Sequence, residues 1–196
     1  MLSEIKDIEV YLLYSPNDNK EYSFFEIVRE AVPLDFKDYE ASNFWGINGG
    51  FEIVANGYCS IFRNTDFHYL VKATSFLLHS LYWIQGKKSD WFDVDDDYPN
   101  DVVARTTNNK LLILKNINEN EVSLAFTSSE NNHANARGTR YFENIAINKN
   151  DWGNAVKLAL SEYFEVLLTV VQNNPNDSTS KTMMGYYDVW RNIENG

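Results

Sequence analysis

Cysteine is almost absent from this sequence, which contains only Cys59. A single thiol cannot form an intramolecular disulfide or supply a cysteine-based zinc site. Long apolar runs are also missing, because the most apolar stretch, residues 76–84, is far shorter than the ~20 residues that span a bilayer. The first ten residues show no basic segment followed by an apolar one, so we expect no signal peptide. These absences favour a reducing, cytoplasmic location.

Positive charge is scarce as well. The chain has 17 Lys and Arg residues against 28 Asp and Glu residues, which gives a net charge of -11 and a pI of about 4.7. A polyanion is repelled by phosphate backbones and by anionic lipid surfaces. The composition therefore argues against nucleic acid and membrane as primary partners and favours a basic protein partner.

Motifs for catalysis or phosphate binding are also lacking. There is no G-x-S-x-G elbow, and no Lys-Ser/Thr follows the glycine-rich residues 46–50, which we interpret as a tight turn. Cys59 falls in a predicted strand and is typical of a small core residue. His68 and His79 are placed on one predicted helix, about 16 Å apart and too far to share a metal ion. The sequence thus predicts no catalytic residue, cofactor or metal.

Hydrophobic residues, by contrast, are abundant. They make up 44% of the 196 residues, and aromatic residues alone make up 15%. Buried aromatic rings remove large apolar areas from water, so a chain of this length can form a substantial core. We expect one globular domain over residues 1–196, with residues 182–196 as a C-terminal helix or arm.

The hydrophobic pattern predicts the elements in order. Period-two alternation indicates a strand at 6–14, and the Asn56-Gly57 pair predicts a hairpin over 51–62. Further strands are expected at 102–107, 111–115 and 121–127, which would form a meander, and at 139–147. Helical spacing predicts helices from Ser23 to Pro33, from Asp66 to Gln85, over 151–172 with Asn148 or Asn150 as the cap, and at 182–193. The fold class is therefore α+β: a mainly antiparallel sheet with a hairpin and a meander, packed by two long helices and a short N-terminal helix.

The most unusual segment is residues 89–101, hereafter the acidic loop. It combines six aspartates with three aromatic residues and contains no Lys or Arg. It can be interpreted as a solvated loop, as a metal site or as a contact surface for a basic partner. Asp93, Asp95 and Asp97 match the start of a calcium loop, but Tyr98 stands where that loop needs Gly and Ala104 where it needs Glu. The residues predicted to contact a partner are Trp91, Asp93, Asp95, Asp96, Asp97, Tyr98 and Asp101.

In size, acidity, α+β pattern and lack of catalytic motifs, the chain resembles the immunity proteins that bacteria encode beside polymorphic or contact-dependent toxins. Locally, residues 32–36 (VPLDF) followed by 48–51 (NGGF) are similar to a segment of the SUKH immunity superfamily. The resemblance implies a non-catalytic inhibitor that binds a cognate toxin, for example a nuclease with a basic groove. Two alternatives stay open: a ligand-binding or enzymatic domain with an aromatic-lined cleft, and a structural subunit that dimerises through its C-terminal arm.

Overall fold

Two four-stranded antiparallel sheets form the β part of the computed structural model, which describes residues 8–15, 22–23, 39–55, 58–62, 67–106, 110–128 and 142–194. The first sheet has the order β2-β1-β3-β4 and the second has the order β5-β6-β7-β8. The strands are β1 (Ile8–Ser15), β2 (Tyr22–Ser23), β3 (Asn48–Ala55), β4 (Tyr58–Phe62), β5 (Val102–Arg105), β6 (Lys110–Asn116), β7 (Glu121–Ser128) and β8 (Phe142–Asn148).

Helices from both halves of the chain pack against these sheets. They are α1 (Ala41–Trp45), α2 (Leu70–Ile84), α3 (Lys149–Asn173) and α4 (Ser178–Glu194). The helix α2 contacts β3 of the first sheet and β5 of the second, and α3 contacts β1 and β8. One cluster of buried hydrophobic residues runs through both sheets and the four helices of the described segments. The predicted α+β class with antiparallel sheets is confirmed, although the strands form two sheets rather than one.

The strand predictions follow from alternation and are confirmed at most positions. In β1 the side chains of Ile8, Val10, Leu12 and Tyr14 are buried and belong to the core. The predicted hairpin is β3 paired with β4, in which Val54 lies opposite Cys59, and its Asn56-Gly57 turn lies outside the described residues. The predicted meander is β5-β6-β7, and β8 extends it.

Several predictions around residues 15–70 were wrong. Ser23 does not start a helix. It belongs to β2 and pairs with Leu13 of β1, and the rest of that predicted helix lies outside the described residues. The predicted turn over residues 46–50 is confirmed only at Gly46, which ends α1, because Asn48 to Gly50 already belong to β3. The helix α2 begins at Leu70, and His68 precedes it with a φ of 66°. His68 and His79 therefore do not share a helix.

Gly49 explains why glycine is needed within β3. A Cβ at this position would lie 2.4 Å from the backbone oxygen of Leu13 and 3.0 Å from both Cβ and Cδ1 of Leu70. The absence of a side chain therefore lets β1, β3 and the start of α2 approach one another closely.

The two C-terminal helices complete the core. The Asn148 side chain accepts hydrogen bonds from the backbone N–H groups of Asn150 and Asp151 and caps α3, as predicted. The spacing of Leu158 predicts a place on the apolar face of this helix, together with Ala155 and Ala159, but its side chain is 62% exposed, whereas Leu160 is buried. Four apolar residues of α4 are buried in the same core and are not available to a second copy of the chain: Met183, Tyr186, Trp190 and Ile193. Met184, Tyr187 and Val189 of the same helix are half-buried. Among the described helices, none combines the length and apolar character needed to cross a membrane.

Candidate functional site

The acidic loop connects α2 to β5. At the end of α2, Gly86 adopts a φ of 65° and donates its N–H to the Trp83 carbonyl, and Lys87 donates to the Tyr82 carbonyl. This glycine closure ends the helix because a positive φ is accessible to glycine at little cost. The chain then leaves α2 toward residues 89–101.

Aromatic contacts hold the loop on α2 and α4. Phe92 stacks on His79 of α2, with ring centroids 4.8 Å apart and planes 3° apart, and it meets Tyr82 edge-on at 5.4 Å. Trp91 stacks on Tyr186 of α4 at 5.2 Å. Burial lowers the pKa of His79, so the imidazole facing Phe92 is held in its neutral form. The first half of the loop is therefore fixed by packing.

Backbone hydrogen bonds fix the second half. The Asp95 side chain accepts the N–H of Asp97 at 3.0 Å, and the Asp95 carbonyl accepts the N–H of Tyr98 at 3.0 Å. Asp101 then donates its N–H to the Tyr98 carbonyl. These bonds make two consecutive turns of the kind that aspartate stabilises. The Trp83 indole N–H also bonds to the Asn100 carbonyl at 3.0 Å, which ties the end of the loop to α2.

Arg105 of β5 neutralises part of the acidic charge. Its Nε lies 2.7 Å from Asp95 Oδ2, and its Nη2 lies 3.0 Å from Asp95 Oδ1 and 2.6 Å from Asp97 Oδ2. This bidentate pairing lowers the pKa of Asp95 and raises that of Arg105. The Asp95 side chain is only 16% exposed, whereas that of Asp97 is 76% exposed. Asp95 is thus an internal anchor, and Asp97 remains accessible.

Lys115 of β6 plays a weaker role at the end of the loop. Its Nζ lies 3.9 Å from Asp101 Oδ2 and 5.6 Å from the centre of the Tyr98 ring. Asp101 and Tyr98 are half-buried and face the second sheet's lysine. Tyr98 and Asp101 therefore hold the loop in place more than they contribute to its exposed surface.

The remaining loop side chains form an outward-facing acidic edge, defined here as Trp91, Asp93, Val94, Asp96 and Asp97. Asp93 and Asp96 are exposed and have no ion pair with any described residue. Val94 is 60% exposed, and Trp91 keeps part of its ring accessible above Tyr186. Carboxylates around exposed apolar groups match the side chains that pair with Lys and Arg at interfaces.

The seven residues predicted to contact a partner do not all have the same position in the structure. The structure brings all seven predicted residues into one loop, but Asp95, Tyr98 and Asp101 are internal supports. Val94 and the cations Arg105 and Lys115 were missed. Arg105 could have been found from its position four residues beyond the loop on a short strand, whereas Lys115 comes from a different strand and has no local signal.

The same loop does not assemble a metal site. Among the described residues, no group of three His, Cys, Asp or Glu side chains is placed to hold a metal ion. The pairing of Asp95 and Asp97 with Arg105 explains this locally, because a bound guanidinium occupies the oxygens that a calcium ion would need.

Beneath the loop lies a buried hydroxyl network. Tyr186 donates to Thr74 Oγ1 at 3.0 Å and accepts from Ser75 Oγ at 3.5 Å. Burial raises the pKa of Tyr186 to about 12 and raises that of Tyr163 as well. Since Trp91 stacks on the Tyr186 ring, the loop shields this network from solvent. The network joins α2 and α4, and its Thr74 and Tyr186 members are fully buried.

In comparisons with known proteins, no family model, no curated protein and no solved structure matches the chain.

Proposed function

We propose that this protein is a non-catalytic, protein-binding inhibitor of the immunity type, which acts in the cytoplasm and neutralises a cognate bacterial toxin. The acidic edge is the docking surface. The observation that carries the proposal is the juxtaposition of exposed Asp93 and Asp96, which form no ion pair with the described residues, with the exposed apolar groups of Trp91 and Val94. The partner is a protein with a basic surface, such as the substrate groove of a nuclease.

Rigidity of the loop supports this function. Free loops lose conformational entropy when they bind, whereas the acidic loop is already held by ring stacking and by Arg105. The cost of ordering it on binding is therefore small. The charge of the whole protein, -11, adds long-range attraction for a basic partner and speeds the encounter.

The sharpest test reverses charge only where it is exposed. Asp93→Lys combined with Asp96→Lys changes the acidic edge and leaves the Arg105 anchors intact. We expect the association rate with the cognate toxin domain to fall about tenfold to a thousandfold, and to depend less steeply on salt than in the wild type. Surface plasmon resonance at several salt concentrations measures both quantities.

A matched control separates local contact from overall charge. Glu165→Lys combined with Glu194→Lys makes the same change in net charge at exposed positions of α3 and α4. Equal losses for the two double variants would show that only net charge matters. An unchanged affinity for the Asp93/Asp96 variant would show that the acidic edge is merely solvated.

A further inference from the structure

A polar cleft of about 280 Å³, with no residue of the acidic loop in its lining, lies where the end of α2, the first turns of α3 and the β6–β7 turn meet. Its apolar base is formed by Leu81, Ile84 and Gly153. The volume is far above the ~10–15 Å³ that one water molecule needs and approaches the ~300 Å³ of small ligand sites. The cleft is thus large enough for a small metabolite.

The walls of the cleft are fixed before any ligand arrives. Asn118 Oδ1 accepts the N–H groups of Asn120 and Glu121 at 2.8 and 2.9 Å and so shapes the β6–β7 turn. Lys149 fastens this turn to α3, because its Nζ donates to the Asn118 carbonyl and its N–H to the Asn120 carbonyl, both at 2.8 Å. A preformed wall reduces the entropic cost of binding.

Several polar groups that line the cleft are unused. The side chains of Gln85, Asn120, Asn150 and Asn154 make no side-chain hydrogen bond with the described residues, and Lys157 makes no ion pair with them. Amide groups supply both donors and acceptors, and Lys157 supplies three donors and a positive charge. These groups can therefore bond the polar atoms of a ligand that enters the cleft.

The net positive charge of the residues that line the cleft favours an anionic ligand. It contains Lys149 and Lys157 against one acid, Glu119, within a protein that is strongly acidic overall. Asn148 already caps the N-terminus of α3, so the available positive group is the Lys157 side chain and not the helix backbone. We propose that the cleft binds a small polar metabolite that carries a carboxylate or phosphate group, with Lys157 pairing with the anion and the four amides bonding its polar atoms.

The test uses NMR titration of the full chain with inorganic phosphate and, separately, with succinate. We expect saturable backbone amide shifts at Asn120, Gly153 and Asn154 with at least one of the two anions, and no such shifts with sodium chloride at equal ionic strength. Saturation by phosphate alone assigns a phosphate-bearing ligand, and saturation by succinate alone assigns a carboxylate. The absence of saturable shifts with either anion would overturn the proposal.

Two variants check that the cleft is responsible. Lys157→Met should weaken anion binding about tenfold or more, because a charge-assisted hydrogen bond is lost. Asn154→Phe should abolish it by filling the cleft without a change in charge. The matched control is Lys181→Met, an exposed lysine of α4. Equal weakening by both lysine variants would overturn the proposal, and this outcome is independent of any toxin binding.

Discussion

Replacing Gly49 with alanine should destabilise the protein strongly, although it adds only one methyl group. The new Cβ would lie 2.4 Å from the Leu13 oxygen, which is a backbone atom that cannot rotate away, and 3.0 Å from two carbons of Leu70. Relief therefore requires β1 or the start of α2 to move. Overpacking of this kind costs about 1–3 kcal/mol, and the contact with backbone favours the upper end of that range.

Urea and thermal denaturation followed by circular dichroism measure this effect. For a protein of this size, a loss of about 3 kcal/mol corresponds to a drop of about 6–12 °C in Tm. The matched control is Gly185→Ala in the interior of α4, where the nearest atom to the new Cβ is Trp91 Cζ3 at an ordinary 3.5 Å. That change should stabilise α4 by up to about 1 kcal/mol. A Gly49→Ala protein within about 0.5 kcal/mol of the wild type would refute the reasoning.

Two further predictions concern buried polar groups. Ser80→Ala should cost about 1–3 kcal/mol in urea denaturation, because the buried Trp152 indole N–H, now 2.9 Å from Ser80 Oγ, loses its acceptor; a Ser80→Ala protein as stable as the wild type would contradict this. Burial raises the pKa of Tyr186 from 10 to about 12, so folding favours the neutral phenol. That contribution to the free energy of unfolding is complete below pH 10 and is lost as the pH rises toward 12, so stability should fall in this window. Tyrosinate absorbance should show Tyr163 and Tyr186 ionising only with unfolding.

The sequence predicted strands more securely than helix boundaries, for a physical reason. Alternation in β1 reports directly which side chains are buried, and Asn56-Gly57 favours a hairpin through local backbone preference alone. The start of α2 depends instead on tertiary packing. A polar Asp66 looks like a cap, but the helix begins at Leu70, which is fully buried in the core and packs beside Gly49.

Leu158 shows the limit of a helical pattern. Its spacing fits an apolar stripe with Ala155 and Ala159, yet a helix of 25 residues that meets both sheets and the three other described helices does not present one constant face to the core. The angle at which those elements pack against α3 decides which of the neighbouring positions is buried. The local sequence pattern does not determine that angle.

The candidate site, too, could be predicted from the sequence only in part. Composition alone located the acidic loop, because six aspartates beside aromatic rings are conspicuous in any fold. The sequence could not predict which of these aspartates form ion pairs within the protein, because Lys115, which lies near Asp101, belongs to a separate strand. The cleft beside Lys157 was also out of reach, because its lining comes from three elements that are distant along the chain.

The stacking of Trp91 on Tyr186 has a consequence for the order of events during synthesis. The loop emerges from the ribosome long before residues 178–194, yet the ring that supports it belongs to that last helix. A growing chain can therefore carry all six aspartates without the platform that orients them. The docking surface proposed above is therefore complete only after α4 has been made and has packed against the loop.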